Sequence, residues 1–290
     1  MHSDDEPVGR ILSRRQALAL LGLAGAGVSI VGGAGVAQAS TTSAASSATS
    51  ESVAAGAVDC VAKPEMTEGP YFVDEGLNRS DIRIDTADGS IVDGTKLTLN
   101  LDVLQLTDGV CAPLAGAVVD IWHCDAYGVY SDEAANDSVG KTFLRGYQVS
   151  NAAGRVRFVT ILPGWYRGRT VHIHLKIQTT GTDGNPYEFT SQLFFTDEFQ
   201  AAYLATDPYA AKGTQDTTNA TDGIYGDVGD QMLLSPRAQR GGWVAGFCVG
   251  LDLSDTVVGG DDSPGPGGPP GPPPPDAPTP SPSTSETATA

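Results

Sequence analysis

The stretch Arg169-Thr170-Val171-His172-Ile173-His174-Leu175-Lys176-Ile177-Gln178 decides the fold. Its run of Val, Ile and Thr is the composition of a β-strand. In a strand, residues two apart share a face, so His172 and His174 would stand side by side, about 7 Å apart at Cα. That placement suits two ligands on one metal. It equally suits two ordinary histidines on a half-buried strand, so further ligands must be found elsewhere. The chain holds four histidines, and His2 lies in a segment expected to be removed.

Working outward, the same kind of signal recurs. Residues 96–104 alternate with leucines on one face, which reads as a half-buried strand. Residues 113–122 are a turn and a second strand, and residues 123–131 a loop leaving its end. Residues 143–149 are another strand, and Asn151-Ala152-Ala153-Gly154 a hairpin-type turn into residues 155–160, which alternate again. Residues 162–167 turn into the His-x-His strand, residues 187–195 follow as a strand, and residues 242–249 form a last one. The helical candidate is 197–204, with Thr196 as its N-cap. Residues 205–240 read as a long ordered loop. Short strands at regular spacing predict a mainly β fold: an antiparallel β-sandwich core with long loops and little helix.

The ends differ in kind. Ser13-Arg14-Arg15-Gln16-Ala17-Leu18 precedes a Gly/Ala-rich apolar run, and Ala37-Gln38-Ala39 offers a small-x-small cleavage pattern. Paired arginines before a mild apolar region read as a twin-arginine export signal over residues 1–39. The run is about the minimum length for a membrane anchor but is poor in large side chains, so cleavage is expected, with no stable membrane insertion afterwards. Residues 40–57 are a Ser/Thr/Ala-rich spacer. Residues 58–256 form one core domain of ordinary size. Residues 257–290 are a Pro/Gly/Ser/Thr-rich tail, for which cell-wall or plant-polymer association is one reading.

A net charge of −18 argues against nucleic acid or an anionic membrane as partner, because both require basic patches. Cys60, Cys111, Cys124 and Cys248 permit two disulfides in an exported protein, in three pairings. Cys60 and Cys248 flank the domain, and a bridge between them would tie its ends. None forms a Cys-x-x-Cys, so a zinc knuckle is not expected.

Two tyrosines lie in loops before the His-x-His strand, Tyr130 and Tyr166. A phenol titrates near pH 10, so a strongly acidic cation such as ferric iron is needed to hold it as phenolate at neutral pH. Two phenolates and two imidazoles would favour Fe3+ over Fe2+ or zinc. The order Asp120-Ile121-Trp122-His123, Gly128-Val129-Tyr130, Arg145-Gly146-Tyr147, Leu162-Pro163-Gly164-Trp165-Tyr166, Arg169 to His174, then Thr190-Ser191-Gln192, resembles the intradiol ring-cleavage dioxygenases. The segment Thr67-Glu68-Gly69-Pro70-Tyr71-Phe72 is similar to the loop before that family's core.

The resemblance implies that Tyr130, Tyr166, His172 and His174 ligate a mononuclear non-haem Fe3+. It implies a catechol and O2 as substrates, cleaved between the two hydroxyl-bearing carbons to a muconate-type diacid. It makes Tyr166 the ligand that leaves the metal and takes up a substrate proton. Arg169 and Gln192 match residues that bind and stabilise the ketonised substrate, where fixed charge beside developing charge lowers a barrier. Tyr71 would line the substrate pocket. His123 is no ligand in that pattern and reads as structural. A long helical N-terminal region, carried by dimeric catechol-specific members, has no counterpart here, so the chain resembles the smaller exported branch; its oligomeric state stays open. Two other readings remain: a non-catalytic β-sandwich surface protein that keeps the fold, and a zinc or copper protein using the two histidines.

Overall fold

Leucine alternation in the segment from Lys96 to Thr107 builds the first wall of the core. Leu97, Leu99, Leu101 and Val103 are fully buried on one face of this strand, β1 (Lys96–Thr107). The structure is a computed structural model and describes residues 61–226 and 228–255. The strands that follow in these residues are β2 (Val110–Pro113), β3 (Val118–Trp122), β4 (Arg145–Val149), β5 (Arg155–Ile161), β6 (His172–Thr180), β7 (Pro186–Phe194), β8 (Arg237–Gln239) and β9 (Gly242–Leu251). The helix α1 spans Asp197–Leu204.

The strands form two sheets. One runs β2-β1-β9-β8, with β5 also paired to β1; the other runs β4-β3-β6-β7. Their inner faces supply one apolar cluster, in which Leu99, Leu101 and Phe158 of the first sheet meet Val119, Ile121, Ile173, Leu175 and Leu193 of the second. Each such side chain removed from water contributes roughly 1.5–3 kcal/mol, which is why a strand shifted by one residue would lose the sandwich. The mainly β architecture, with one short α-helix among the described residues, is the one expected. Most ladders are antiparallel, but β1 and β9 run parallel, Leu97 opposite Trp243 through Gln105 opposite Leu251.

Two local expectations are corrected. The Asn151–Gly154 turn closes as read: the Asn151 side chain accepts from the backbone N–H groups of Ala153 and Arg155 at 2.9 and 3.0 Å. Gly154 sits at φ +72°, and a Cβ there would lie 2.3 Å from the Val103 carbonyl oxygen. Yet β4 and β5 do not pair with each other. β4 pairs with β3 and β5 with β1, so the turn passes the chain from one sheet to the other. The bridge between Cys60 and Cys248 does not form, because Cys248 is a free thiol; Cys124 is free and buried, and Cys111 is disulfide-bonded.

Between residues 205 and 240 the chain makes 3-10 turns at Tyr209–Lys212 and Gly229–Met232 before the short strand β8. The export signal, the spacer and the tail lie outside the described residues. Among the described residues no helix is long and apolar enough to cross a membrane.

Candidate metal centre

β6 is buried on both faces. Ile173, Leu175 and Ile177 enter the core between the sheets, so His172 and His174 occupy the outer face of the four-stranded sheet. Register sets their neighbours there. Trp122 lies opposite His174 on β3, and Gln192 opposite His174 on β7. The Trp122 ring stacks on the His174 ring, centroids 4.7 Å apart and planes 5° apart.

Two loops bring tyrosines onto this face. The Asp125 carboxylate accepts from the N–H groups of Tyr127 and Val129 at 2.8 and 2.9 Å, shaping the turn that delivers Tyr130. Burial raises the Asp125 pKa to about 6. The Gly164 N–H donates to the Asp125 carbonyl at 2.9 Å, which joins the second loop to the first. A Cβ at Gly164 would fall 2.4 Å from the Ala126 carbonyl oxygen, so only glycine lets the loops meet and places Tyr166 beside Tyr130.

Four donor atoms converge. His172 Nε2 is 3.1 Å from His174 Nε2, 3.1 Å from Tyr166 Oη and 3.4 Å from Tyr130 Oη. His174 Nε2 is 3.2 Å from Tyr130 Oη. His172 Nδ1 donates to the Thr170 carbonyl at 2.7 Å, so in the neutral ring Nε2 carries a lone pair aimed into the cluster. Burial, aided by the Arg169 charge, pushes the His172 pKa well below its ordinary value; burial and His172 do the same to His174. Burial lifts Tyr130 well above the usual phenol range and Tyr166 to about 12.

The donor set fits a metal. A first-row cation about 2.1 Å from each ligand subtends the observed spacings at angles of roughly 95–110°. Lone pairs held 3.1 Å apart gain little from each other and much from a shared cation. Among the described residues no group of three or more His, Cys, Asp or Glu could hold a metal, so a cation at this cluster would have to draw on the two phenols as well as the two imidazoles. Only a strongly acidic cation would ionise phenols whose surroundings resist ionisation.

The other expected residues lie alongside. Arg169 Nη2 donates to Gln192 Oε1 at 2.5 Å, and its Nη1 stands 3.5 Å from His172 Nε2. Burial opposes the Arg169 charge, but Tyr166 and Asp222 outweigh it and hold the pKa above its ordinary value. Gln192 Nε2 donates to the Thr67 carbonyl at 3.0 Å. The Tyr71 ring stacks on Tyr130, centroids 4.3 Å apart, and meets Tyr166 edge-on at 6.1 Å. His123 stands apart, with Nδ1 2.7 Å from the Cys124 carbonyl oxygen and Nε2 2.6 Å from Thr160 Oγ1, both ring nitrogens thereby occupied.

Sequence reading gave two residues no role. Asp222 forms a 2.8 Å ion pair with Arg169. Buried Arg145 donates to the Ser131 hydroxyl and carbonyl and to the Tyr71 carbonyl, tying both covering loops to β4. Arg145 stands in the Arg145-Gly146-Tyr147 run that carries the resemblance, but its burial and contacts appear only in the fold; Asp222 had no signal.

The family model described as Dioxygenase matches residues 67–222, more than half of the 290. An intradiol ring-cleavage dioxygenase from Tetranychus urticae is similar in structure, with TM-score 0.56 and 29% identity over 67% of this chain and 96% of that one. A catechol 1,2-dioxygenase of Pseudomonas sp. (strain EST1001) is 28% identical over 63% of this chain and 68% of its own. A chlorocatechol 1,2-dioxygenase of Pseudomonas putida is 28% identical over 44% of this chain. The chain spans about half of that relative's length, 52%. The matched residues contain Tyr71, Tyr130, Tyr166, Arg169, His172, His174 and Gln192, and they take in strands β1 to β7, whereas β8 and β9 lie beyond them. The chain belongs to the intradiol ring-cleavage dioxygenase family.

Proposed function

We propose that this chain is an exported dioxygenase that opens catechol-type rings between the two hydroxyl-bearing carbons, using a mononuclear Fe3+ held by Tyr130, Tyr166, His172 and His174. The observation that carries this reading is the convergence of His172 Nε2, His174 Nε2, Tyr130 Oη and Tyr166 Oη, with neighbouring donors 3.1–3.4 Å apart on a buried face. When bound, ferric iron would supply a Lewis acid that chelates a catecholate and draws electron density from its ring.

The chain's own residues divide the remaining work. Tyr166 is 9% exposed, against 1–2% for the other three donors, and is therefore the ligand best placed to exchange. Its Oη, as a phenolate, would take one hydroxyl proton of the catechol and hold it as the neutral phenol. Arg169 Nη1 faces the cluster and presents a fixed positive charge where negative charge grows on substrate oxygen. Gln192 braces that guanidinium and links it to the loop that carries Tyr71. Tyr71 offers a flat aromatic wall for a planar ring and, with Trp122, keeps bulk water off the site. Export rests on Arg14-Arg15 and the apolar run behind them, and the Pro-rich tail reads as a spacer toward a wall or plant polymer.

Anaerobic loading with ferrous iron followed by oxidation should give a visible phenolate-to-iron absorption band that shifts on adding catechol, and air should then yield a muconate-type product. Tyr166→Phe should bind iron yet lose at least about 100-fold in turnover, since a ligand and a base go together. Near-normal turnover by the iron-loaded Tyr166→Phe protein would remove that residue from the mechanism. A colourless, inert wild type would overturn the reading.

A further inference from the structure

Arg169 is a buried cation whose direction is set from behind. Its side chain is 15% exposed, and its Nε donates to Asp222 Oδ2 at 2.8 Å. Asp222 is itself held by backbone. Oδ2 also accepts from the Thr170 N–H at 2.7 Å, and Oδ1 accepts from the Ile224 and Tyr225 N–H groups at 2.8 and 3.0 Å. Three main-chain donors therefore fix the carboxylate before Arg169 is counted. The Thr170 hydroxyl donates to Asn219 Oδ1 at 2.7 Å, and Asn219 Nδ2 donates to the Phe195 carbonyl at 2.9 Å, anchoring the same loop to the end of β7.

A guanidinium is planar, with five N–H groups in a rigid fork. Pinning Nε on Asp222 and Nη2 on Gln192 Oε1 leaves one orientation, in which Nη1 stands 3.5 Å from His172 Nε2 at the edge of the donor cluster. Without the carboxylate, the buried cation would lack its counter-charge and turn toward another partner or toward water.

We propose that Asp222 is a positioning residue that acts through Arg169, holding its guanidinium edge toward the bound catechol. The inference rests on the catalytic reading given above for the site. It extends the working set to a loop that lies 53 residues beyond Arg169 in the chain.

The test uses the iron-loaded mature protein and its Asp222→Asn, Asp222→Glu, Arg169→Gln and Asp222→Asn/Arg169→Gln variants, with catechol and air. Asp222→Asn keeps the shape and loses the charge. Its kcat should fall about 100-fold, the loss typical of a misplaced electrostatic donor, while KM stays within about threefold and the absorption band and iron content are unchanged. In the Arg169→Gln background the same change should cost nothing further. Asp222→Glu, which retains the charge, should stay within about tenfold of the wild-type kcat.

A wild-type kcat in Asp222→Asn, or an equal fractional loss in both backgrounds, overturns the proposal. If Asp222→Asn does not fold, Asp222→Glu decides, and a kcat as low as that of Arg169→Gln overturns it. A second readout needs no turnover. In iron-free protein labelled with 15N, the Arg169 Nε–H should exchange slowly with solvent in the wild type and rapidly in Asp222→Asn. An inactive wild type that shows this loss of protection refutes the catalytic reading and leaves the positioning contact standing. An active wild type whose Arg169 Nε–H and kcat both ignore Asp222→Asn refutes the positioning alone.

Discussion

His123 and His172 are both buried imidazoles, and their nitrogens have different partners. His123 has both nitrogens engaged, by the Cys124 carbonyl and by Thr160 Oγ1. His172 gives one N–H to the Thr170 carbonyl and points its other nitrogen at three further donors. Burial lowers the His123 pKa to about 4 from an ordinary 6.5. Between those values the unfolded chain binds a proton that the folded chain refuses, so the contribution is present above pH 6.5 and is lost as pH falls toward 4. The linkage is at most about 3 kcal/mol. Asp120 and Asp125, both raised by burial to about 6, act in the opposite sense, since their protonation on acidification favours the folded state. Iron-free wild type should therefore be compared with His123→Gln by urea unfolding at several pH values. The stability advantage of wild type should shrink steadily from pH 7 to pH 4. A constant offset would show that His123 does not titrate as its burial dictates.

At the scale of elements, β6 gives one face to the core and presents His172 and His174 on the other, and a substitution on one face should spare the other. Ile173 is fully buried in the core between the sheets. Ile173→Ala should cost about 2–5 kcal/mol in denaturant unfolding, while the folded protein still binds iron with an unchanged absorption band. Loss of the band in a folded Ile173→Ala protein would mean that the outer face depends on core packing more closely than a strand's alternation allows. Helix α1 gives a smaller reference. Thr196 Oγ1 accepts from the Phe199 N–H at 3.3 Å, so Thr196→Ala should cost about 1 kcal/mol. These elements were legible because their signals are local: leucine alternation in β1, His172 and His174 two apart in β6, and threonine before Asp197-Glu198 in α1. Partner choice is not local. Nothing in residues 242–251 says that they run parallel to β1, and β8 is three exposed residues without a pattern. The Asn151–Gly154 turn was legible as a turn, but which sheet receives the next strand depends on what β3 and β1 already bind.

At the scale of the whole molecule, the donors come from segments that only the fold assembles: a loop after β3, a loop before β6, and β6 itself. Their chemistry was legible through residue types in order, whereas Asp222 was not, because an aspartate in a stretch without period declares itself only by contact with Arg169. Assembly has a thermodynamic consequence. The unfolded chain cannot present Tyr130, Tyr166, His172 and His174 together, so a metal that uses all four binds the folded state and stabilises it by mass action. At free metal about 1,000 times its dissociation constant the gain is about 4 kcal/mol, and for a domain of this size that corresponds to a rise in Tm of roughly 10 °C. Calorimetry of iron-loaded and chelator-stripped protein should show that rise. Tyr130→Phe, which removes a donor 1% exposed and leaves the core between the sheets untouched, should abolish most of it with little change in the stripped Tm. Equal melting temperatures for loaded and stripped wild type would mean that the four atoms do not act as one site. A full rise in Tyr130→Phe would mean that the metal is held without that phenol, and the ferric preference argued from two phenolates would fall with it.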